Sequence, residues 1–438
     1  MSKKGIQWLY QELPELIRKG ILSQQNADNL RQYYGSIEGK GGRWLALIIF
    51  GIFGALLIGL GIILLIGHNW EDLSRQMRTI LSILPLLAGQ LLVGWTIFQG
   101  KRSIALREGS ATFLTFMIGA SIALVGQTYH IPGNTAGFLL TWMLLTIPLV
   151  YLLGVTIPAI IYMIGITSWA CYTQNDALHS IFFWPLAMLV VPHFVQIFKK
   201  DEYAIRFTMF AWVISLCLCV TGGITLGKVW PGSWVVIYTS LFAILYLVGN
   251  FWFAETQAIW KRPFHVVGAI GIFITSFILT YKWPWKDMGW YYYRYGKGTF
   301  GFTAIADCFI TLMLLVVAIA LLVSCVRRKL ISKITFGIVP VIAVLGYSIS
   351  RAGANAIFPT ILFNIYLLAA GIITMITGLK EKSLGIVNVG MLMLTILIVA
   401  RFFDSSQGFV TRGLAFIILG TGFLVTNIML IRHKGGAK

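Results

Sequence analysis

Residues 44–66 read WLALIIFGIFGALLIGLGIILLI, an apolar run from Trp44 to Ile66 without a charged side chain. A helix rises about 1.5 Å per residue, so about 20 apolar residues cross a hydrocarbon core of about 30 Å. The run is therefore long enough to span a bilayer. The 40 or so residues before it are polar, and the run is too long for a cleaved leader, so no signal peptide is expected.

The same window, moved along the chain, gives fourteen candidate spans. After Trp44–Ile66 come Thr79–Phe98, Gly109–Gln127, Gly137–Leu153, Val155–Tyr172, Ile181–Phe198, Ala204–Leu226 and Trp234–Phe253. The rest are Phe264–Thr280, Thr303–Val326, Ile334–Ile349, Ala354–Leu379, Ser383–Ala400 and Val410–Ile431. Almost no loop separates 137–153 from 155–172, which read equally as one hairpin or as a span with a re-entrant piece. Composition agrees: of 438 residues 58% are hydrophobic and only 11% charged, where a soluble chain carries roughly 25% charge. An ordinary soluble protein and a disordered one are both excluded. The expected fold is all-α: a polytopic integral membrane helix bundle of about 14 transmembrane helices, with a short N-terminal cytoplasmic helical hairpin.

The net charge of +19 would suggest a nucleic-acid partner in a soluble chain. Here basic residues collecting in cytoplasmic loops explain it first. With the N-terminus inside and spans alternating, inner segments hold 24 Lys and Arg against 10 outside. The inner clusters include Lys101-Arg102, Lys199-Lys200, Lys261-Arg262 and Arg327-Arg328-Lys329. The expectation is a multi-pass protein of the bacterial cytoplasmic (inner) membrane with both termini cytoplasmic. Membrane lipids are its expected partners, nucleic acid is not, and a homo- or hetero-oligomeric state is left open.

Three regions follow: residues 1–40, residues 41–434 as the bundle, and an aromatic extracytoplasmic loop over 281–302. In the first, Ile6, Leu9, Leu13, Leu16 and Ile17 keep helical spacing, Gly20 suits a C′ stop, and Ser23 suits the cap of a second helix reaching Tyr34. Two short helices with one apolar face form no independent core, so this pair is expected to dock rather than to read DNA. The loop carries Tyr281, Trp283, Trp285, Trp290, Tyr291, Tyr292, Tyr293 and Tyr295, an interfacial belt or lid in the plainer reading. The sharper one is a stacking surface for a sugar or lipid headgroup.

Groups that carry chemistry are sparse. Asp307 falls one turn inside its span, close enough to the outer boundary to be solvated, while His193, His265 and Glu255 lie near span ends. The mid-span polar groups are the amides Gln90, Asn364 and Asn388, for which helix–helix hydrogen bonding is the plain role. Coupled transporters usually place an acid near the midplane, so that class is weakened. Cys171, Cys217, Cys219, Cys308 and Cys325 lack paired zinc spacing and read as small apolar residues. Neither a P-loop nor a GxSxG, HExxH or dinucleotide pattern is present. We assign no catalytic residue, no cofactor and no metal ligand.

Three polar groups fall at outer span ends: His68-Asn69-Trp70-Glu71-Asp72, Gly126-Gln127-Thr128-Tyr129-His130-Ile131-Pro132-Gly133-Asn134, and Arg401-Phe402-Phe403-Asp404. In the last, Arg and Asp at i,i+3 suit a pair on one helix face. With these motifs, and the N-terminal helix pair, the chain resembles the bacterial polytopic membrane proteins of the domain of unknown function 2157. The motifs are short, and residues 180–330 match by hydropathy more than by motif. The resemblance implies a cytoplasmic N-terminal hairpin and an envelope location, and names no activity.

A shared outer face makes these groups candidates for one vestibule. Asn69, Trp70, Glu71, Gln127, Tyr129, His130, Arg351, Asn355, Arg401 and Asp404 are its candidate ligand-binding residues. Helix capping at unconnected places is the plainer alternative. Three functions are carried forward. The first is a non-enzymatic protein that binds, senses or moves a small or lipidic ligand from the outer side. The second is a structural or assembly subunit docking through the hairpin. The third is a membrane-embedded transferase acting on lipid-linked sugar, with Glu71 or Asp72 as base or metal holder.

Overall fold

The computed structural model describes residues 3–34, 70, 72–99, 104–175, 180–200, 205–227, 232–252, 259–286, 301–328, 330–351 and 356–403, with isolated positions between 410 and 421. All elements among the described residues are helical. The chain divides into two compact units, Met1–Arg78 and Thr79–Lys438.

In the first unit, α1 (Lys3–Arg18) and α2 (Gln24–Tyr34) are joined by a turn at Gly20. Gly20 sits at φ 72°, where a Cβ would be strained, and its N–H reaches Ile17 C=O while the Ile21 N–H reaches Leu16 C=O. This crossed pair is a Schellman termination. Ser23 then starts α2, its Oγ accepting the Asn26 N–H at 3.3 Å. Leu13 and Ala27 are fully buried.

The helix α3 (Arg75–Phe98) begins where Ser74 Oγ accepts the Met77 N–H. There follow α4 (Ile104–Tyr129), α5 (Thr135–Leu153), α6 (Ile157–Tyr172), α7 (Phe183–Met188), α8 (Val191–Lys200), α9 (Ile205–Thr225), α10 (Trp234–Trp252) and α11 (Pro263–Leu279). After the four-residue α12 (Trp283–Lys286) come α13 (Phe302–Arg327), α14 (Ile331–Gly337), α15 (Val339–Arg351), α16 (Ile357–Lys380) and α17 (Leu384–Phe403).

Nine helices among the described residues are long and apolar enough to cross a membrane, and three more are apolar but shorter. Together they occupy the twelve expected spans from Thr79–Phe98 to Ser383–Ala400. The first expected span, 44–66, lies outside the described residues, as does most of the last, 410–431. The doubtful pair resolves as two helices: Gly154, at φ 61° and ψ 44°, ends α5, and α6 begins three residues later with Pro158 in its first turn. Two expected spans are broken. The stretch 181–198 parts at Leu189–Val190 and 334–349 parts at Ile338. Each break precedes a proline by two or three residues, because Pro192 and Pro340 have no N–H for the carbonyl four positions back.

The outside of this unit is apolar: Phe98 is 96% exposed, and Leu91 and Phe309 are also open. That inversion of a soluble protein's surface suits a lipid surround. Several serines and threonines inside the helices close their hydroxyls onto the carbonyl four residues back, as Thr115, Thr146, Ser215, Thr221 and Thr239 do, and so sit in apolar helices without an orphaned donor.

The core is built around α10, buried on nearly every face and packed against α9, α11, α13 and α15. Phe183, Phe207, Phe210, Ile272 and Phe363 fill the space around it. The tightest contacts need glycine. A Cβ on Gly268 would lie 2.4 Å from the Tyr246 nitrogen, and one on Gly390 would lie 2.7 Å from the Met375 nitrogen. Backbone thus meets backbone between α10 and α11 and between α16 and α17.

Candidate functional site

Arg401, on the last turn of α17, is the candidate whose surroundings the structure defines best. Its Nη2 donates to Thr280 Oγ1 at 3.0 Å, and its guanidinium lies 4.3 Å from the Tyr281 ring centre. Thr280 and Tyr281 follow the end of α11 directly, and the chain there is tied down on every side. Asn364 of α16 donates to Thr280 C=O at 2.9 Å, and Thr360 Oγ1 donates to Tyr281 C=O at 3.3 Å. Trp285 turns back into the bundle. The residue is 3% exposed, its Nε1 donates to Leu279 C=O at 2.9 Å, and its ring packs tilted against Phe363 with centroids 5.7 Å apart. Gly346 of α15 leaves room for that ring, and Ser350 Oγ donates to Trp285 C=O.

The head of the aromatic stretch is therefore a plug on the ends of α11, α15, α16 and α17, while Trp283 stays 56% exposed beside it. The ring and the hydroxyl hold the guanidinium in one orientation, and a planar guanidinium is the side chain suited to planar or tetrahedral anions. Arg351, exposed on the last turn of α15, follows Ser350. Asn355 and Asp404, and with Asp404 the expected i,i+3 pair, lie outside the described residues.

The segment after α4 is mostly accounted for by helix ends. His130 sits at φ 50°, the left-handed position that terminates a helix, with the Ile131 N–H bonded to Gly126 C=O at 3.0 Å. Asn134 Oδ1 accepts the Gly137 N–H at 2.7 Å and starts α5. Tyr129 and Thr79 share a hydroxyl hydrogen bond of 3.0 Å, which ties α4 to α3. Gln127 and His130 are exposed. Trp70, in the first unit, is 6% exposed, and Asn69 and Glu71 lie outside the described residues. The candidates of the second unit are thus held by different partners: Tyr129 by α3, Arg401 by the end of α11.

Asp307 departs from its expectation. It is 5% exposed rather than solvated, and its carboxylate accepts the Gly227 N–H at 3.1 Å, where Gly227 takes φ 80°. The sequence reading also passed over Glu108, a buried carboxylate near the start of α4. Glu108 accepts the Thr156 N–H at 2.8 Å and the Ile157 N–H at 2.9 Å, with Arg206 Nη1 at 3.8 Å. It caps α6 and complements that helix's dipole. Its signal was its isolation, as the sole acid between Asp72 and Asp176. Thr280 and Tyr281 gave no such signal.

No curated protein and no solved structure matches the chain. Residues 14–159 match the family model described as Predicted membrane protein (DUF2157), so the family resemblance read from the residues stands over that part of the chain.

Proposed function

We propose that this chain is a multi-pass protein of the cytoplasmic membrane, with both termini inside, that binds a small or lipidic ligand carrying an anionic group at its outer face. The observation that carries the proposal is the Arg401 group. A guanidinium clamped by Thr280 and Tyr281 stands at the helix ends that the charge asymmetry assigns to the outside, and the exposed Trp283 follows Tyr281 by two residues. Arg401 meets the anionic group and Trp283 offers a face for an apolar or sugar moiety. Gln127, His130 and Glu71 are proposed as further ligand-facing residues of the same outer side.

The test is capture of the ligand in cells. A photoactivatable residue in place of Trp283 is cross-linked, and the purified full-length protein is weighed intact. An added mass that falls to background with Arg401→Gln supports the proposal. No adduct, or the same adduct in that variant, contradicts it.

A further inference from the structure

The opposite ends of the helices hold a second cluster. Gly249, near the end of α10, has no room for a Cβ, which would lie 2.4 Å from the His265 nitrogen. That approach brings the first turn of α11 against Asn250, which is 6% exposed. The Asn250 amide is consumed locally: Nδ2 donates to Tyr246 C=O at 2.8 Å and lies 3.0 Å from His265 Nδ1. Three cations then converge on two consecutive residues. Arg262 Nη2 reaches Asn250 Oδ1 at 3.4 Å, and Lys333 Nζ reaches Asn250 C=O at 3.4 Å. The Arg328 guanidinium lies 5.0 Å from the Phe251 ring centre.

Among the described residues, the acceptors that Lys333 and Arg328 meet are a neutral carbonyl and a ring, and the carbonyl contact is long for a charged donor. The N-terminus of α11, with Pro263 in its first turn, adds the positive end of a helix dipole. The Glu108–Arg206 pair makes the contrast, since there a buried carboxylate faces the cation. Beside the cationic cluster Trp252, Ile259 and Trp260 are about half exposed or more, as residues at a lipid boundary are.

We propose that the ends of α10, α11, α13 and α14 form a binding site for a phosphate-type anion, carried by an anionic phospholipid. Arg328 and Lys333 meet the phosphate oxygens, and the exposed tryptophans lie along the glycerol and upper acyl chain. In the proposed topology these ends face the cytoplasmic leaflet, where basic groups between helices meet anionic headgroups. The site is separate from Arg401 and does not depend on the outer ligand.

The test uses the full-length protein in detergent, titrated with phosphatidylglycerol, phosphatidylcholine or inorganic phosphate and read by native mass spectrometry. The double variant Arg328→Gln/Lys333→Gln is compared with the charge-matched control Lys380→Gln/Lys382→Gln. A second double variant, Arg328→Lys/Lys333→Arg, keeps both charges. Phosphatidylglycerol should bind wild type, the control and the charge-keeping variant, and bind the neutral variant about tenfold more weakly or worse. Displacement of the lipid by millimolar inorganic phosphate would overturn the lipid source and assign free phosphate to the site. Unchanged lipid binding in the neutral variant, or an equal loss in the control, would overturn the site itself.

Discussion

Arg401 was legible in the sequence as an odd charge at a span end, yet its partners were not. The spacing rule offered Asp404, three residues on. Asp404 lies outside the described residues; what the structure adds is Thr280, 121 positions away, and its neighbour Tyr281, which no local rule links to Arg401. Contacts of that kind depend on which helices become neighbours, and hydropathy is silent about neighbours. Replacing Arg401 with Lys keeps the charge and loses the planar stacking, so stability should fall by about 1 kcal/mol. Thermal unfolding of the purified protein measures this; an unchanged midpoint would mean that the ring contact contributes nothing. Glu108 allows a larger effect. Removing its carboxylate orphans the buried Thr156 N–H and the partly buried Ile157 N–H at the start of α6, so Glu108→Ala should cost about 2 kcal/mol, and Glu108→Gln less because one acceptor oxygen survives. Equal losses in the two variants would refute the capping role.

At the scale of elements, the apolar window located the twelve apolar stretches from α3 to α17 among the described residues, passed over the short α12 in the aromatic stretch, and missed how two of the spans are interrupted. An average over about 20 residues does not register one missing N–H, and Pro192 and Pro340 each act through one. The structure also shows which glycines touch a neighbour. Gly268 faces the Tyr246 backbone, whereas nothing lies within 4 Å of a Cβ on Gly94. Gly268→Ala should therefore destabilise by about 3 kcal/mol, since neither backbone can yield without separating α10 from α11. Gly94→Ala should leave stability unchanged or raise it by about 0.5 kcal/mol, because alanine is the better helix former. Chemical denaturation of the two variants side by side checks the opposite signs, and a matched response would show that close approach is not what Gly268 provides. The N-terminal pair α1–α2 is the other element with a distinct prediction. Among its described side chains Leu13 and Ala27 are the fully buried apolar ones, and two short helices offset little of the entropy of ordering them, so a peptide of residues 1–40 should be mostly unstructured in water. A cooperative melt of that peptide would refute this.

For the whole molecule, the central claim is that these helices cross a membrane alternately, with the basic ends inside and the Arg401 end outside. The apolar exterior and the run of long apolar helices support it, and the charge asymmetry orients it. The proposed topology counts residues 44–66 and 410–431 as one expected crossing each. Reporter fusions read the alternation directly. Fusions at Lys200 and Lys329 should report the cytoplasm and a fusion at Gly296 the outside; the opposite side at any one of the three would contradict the topology.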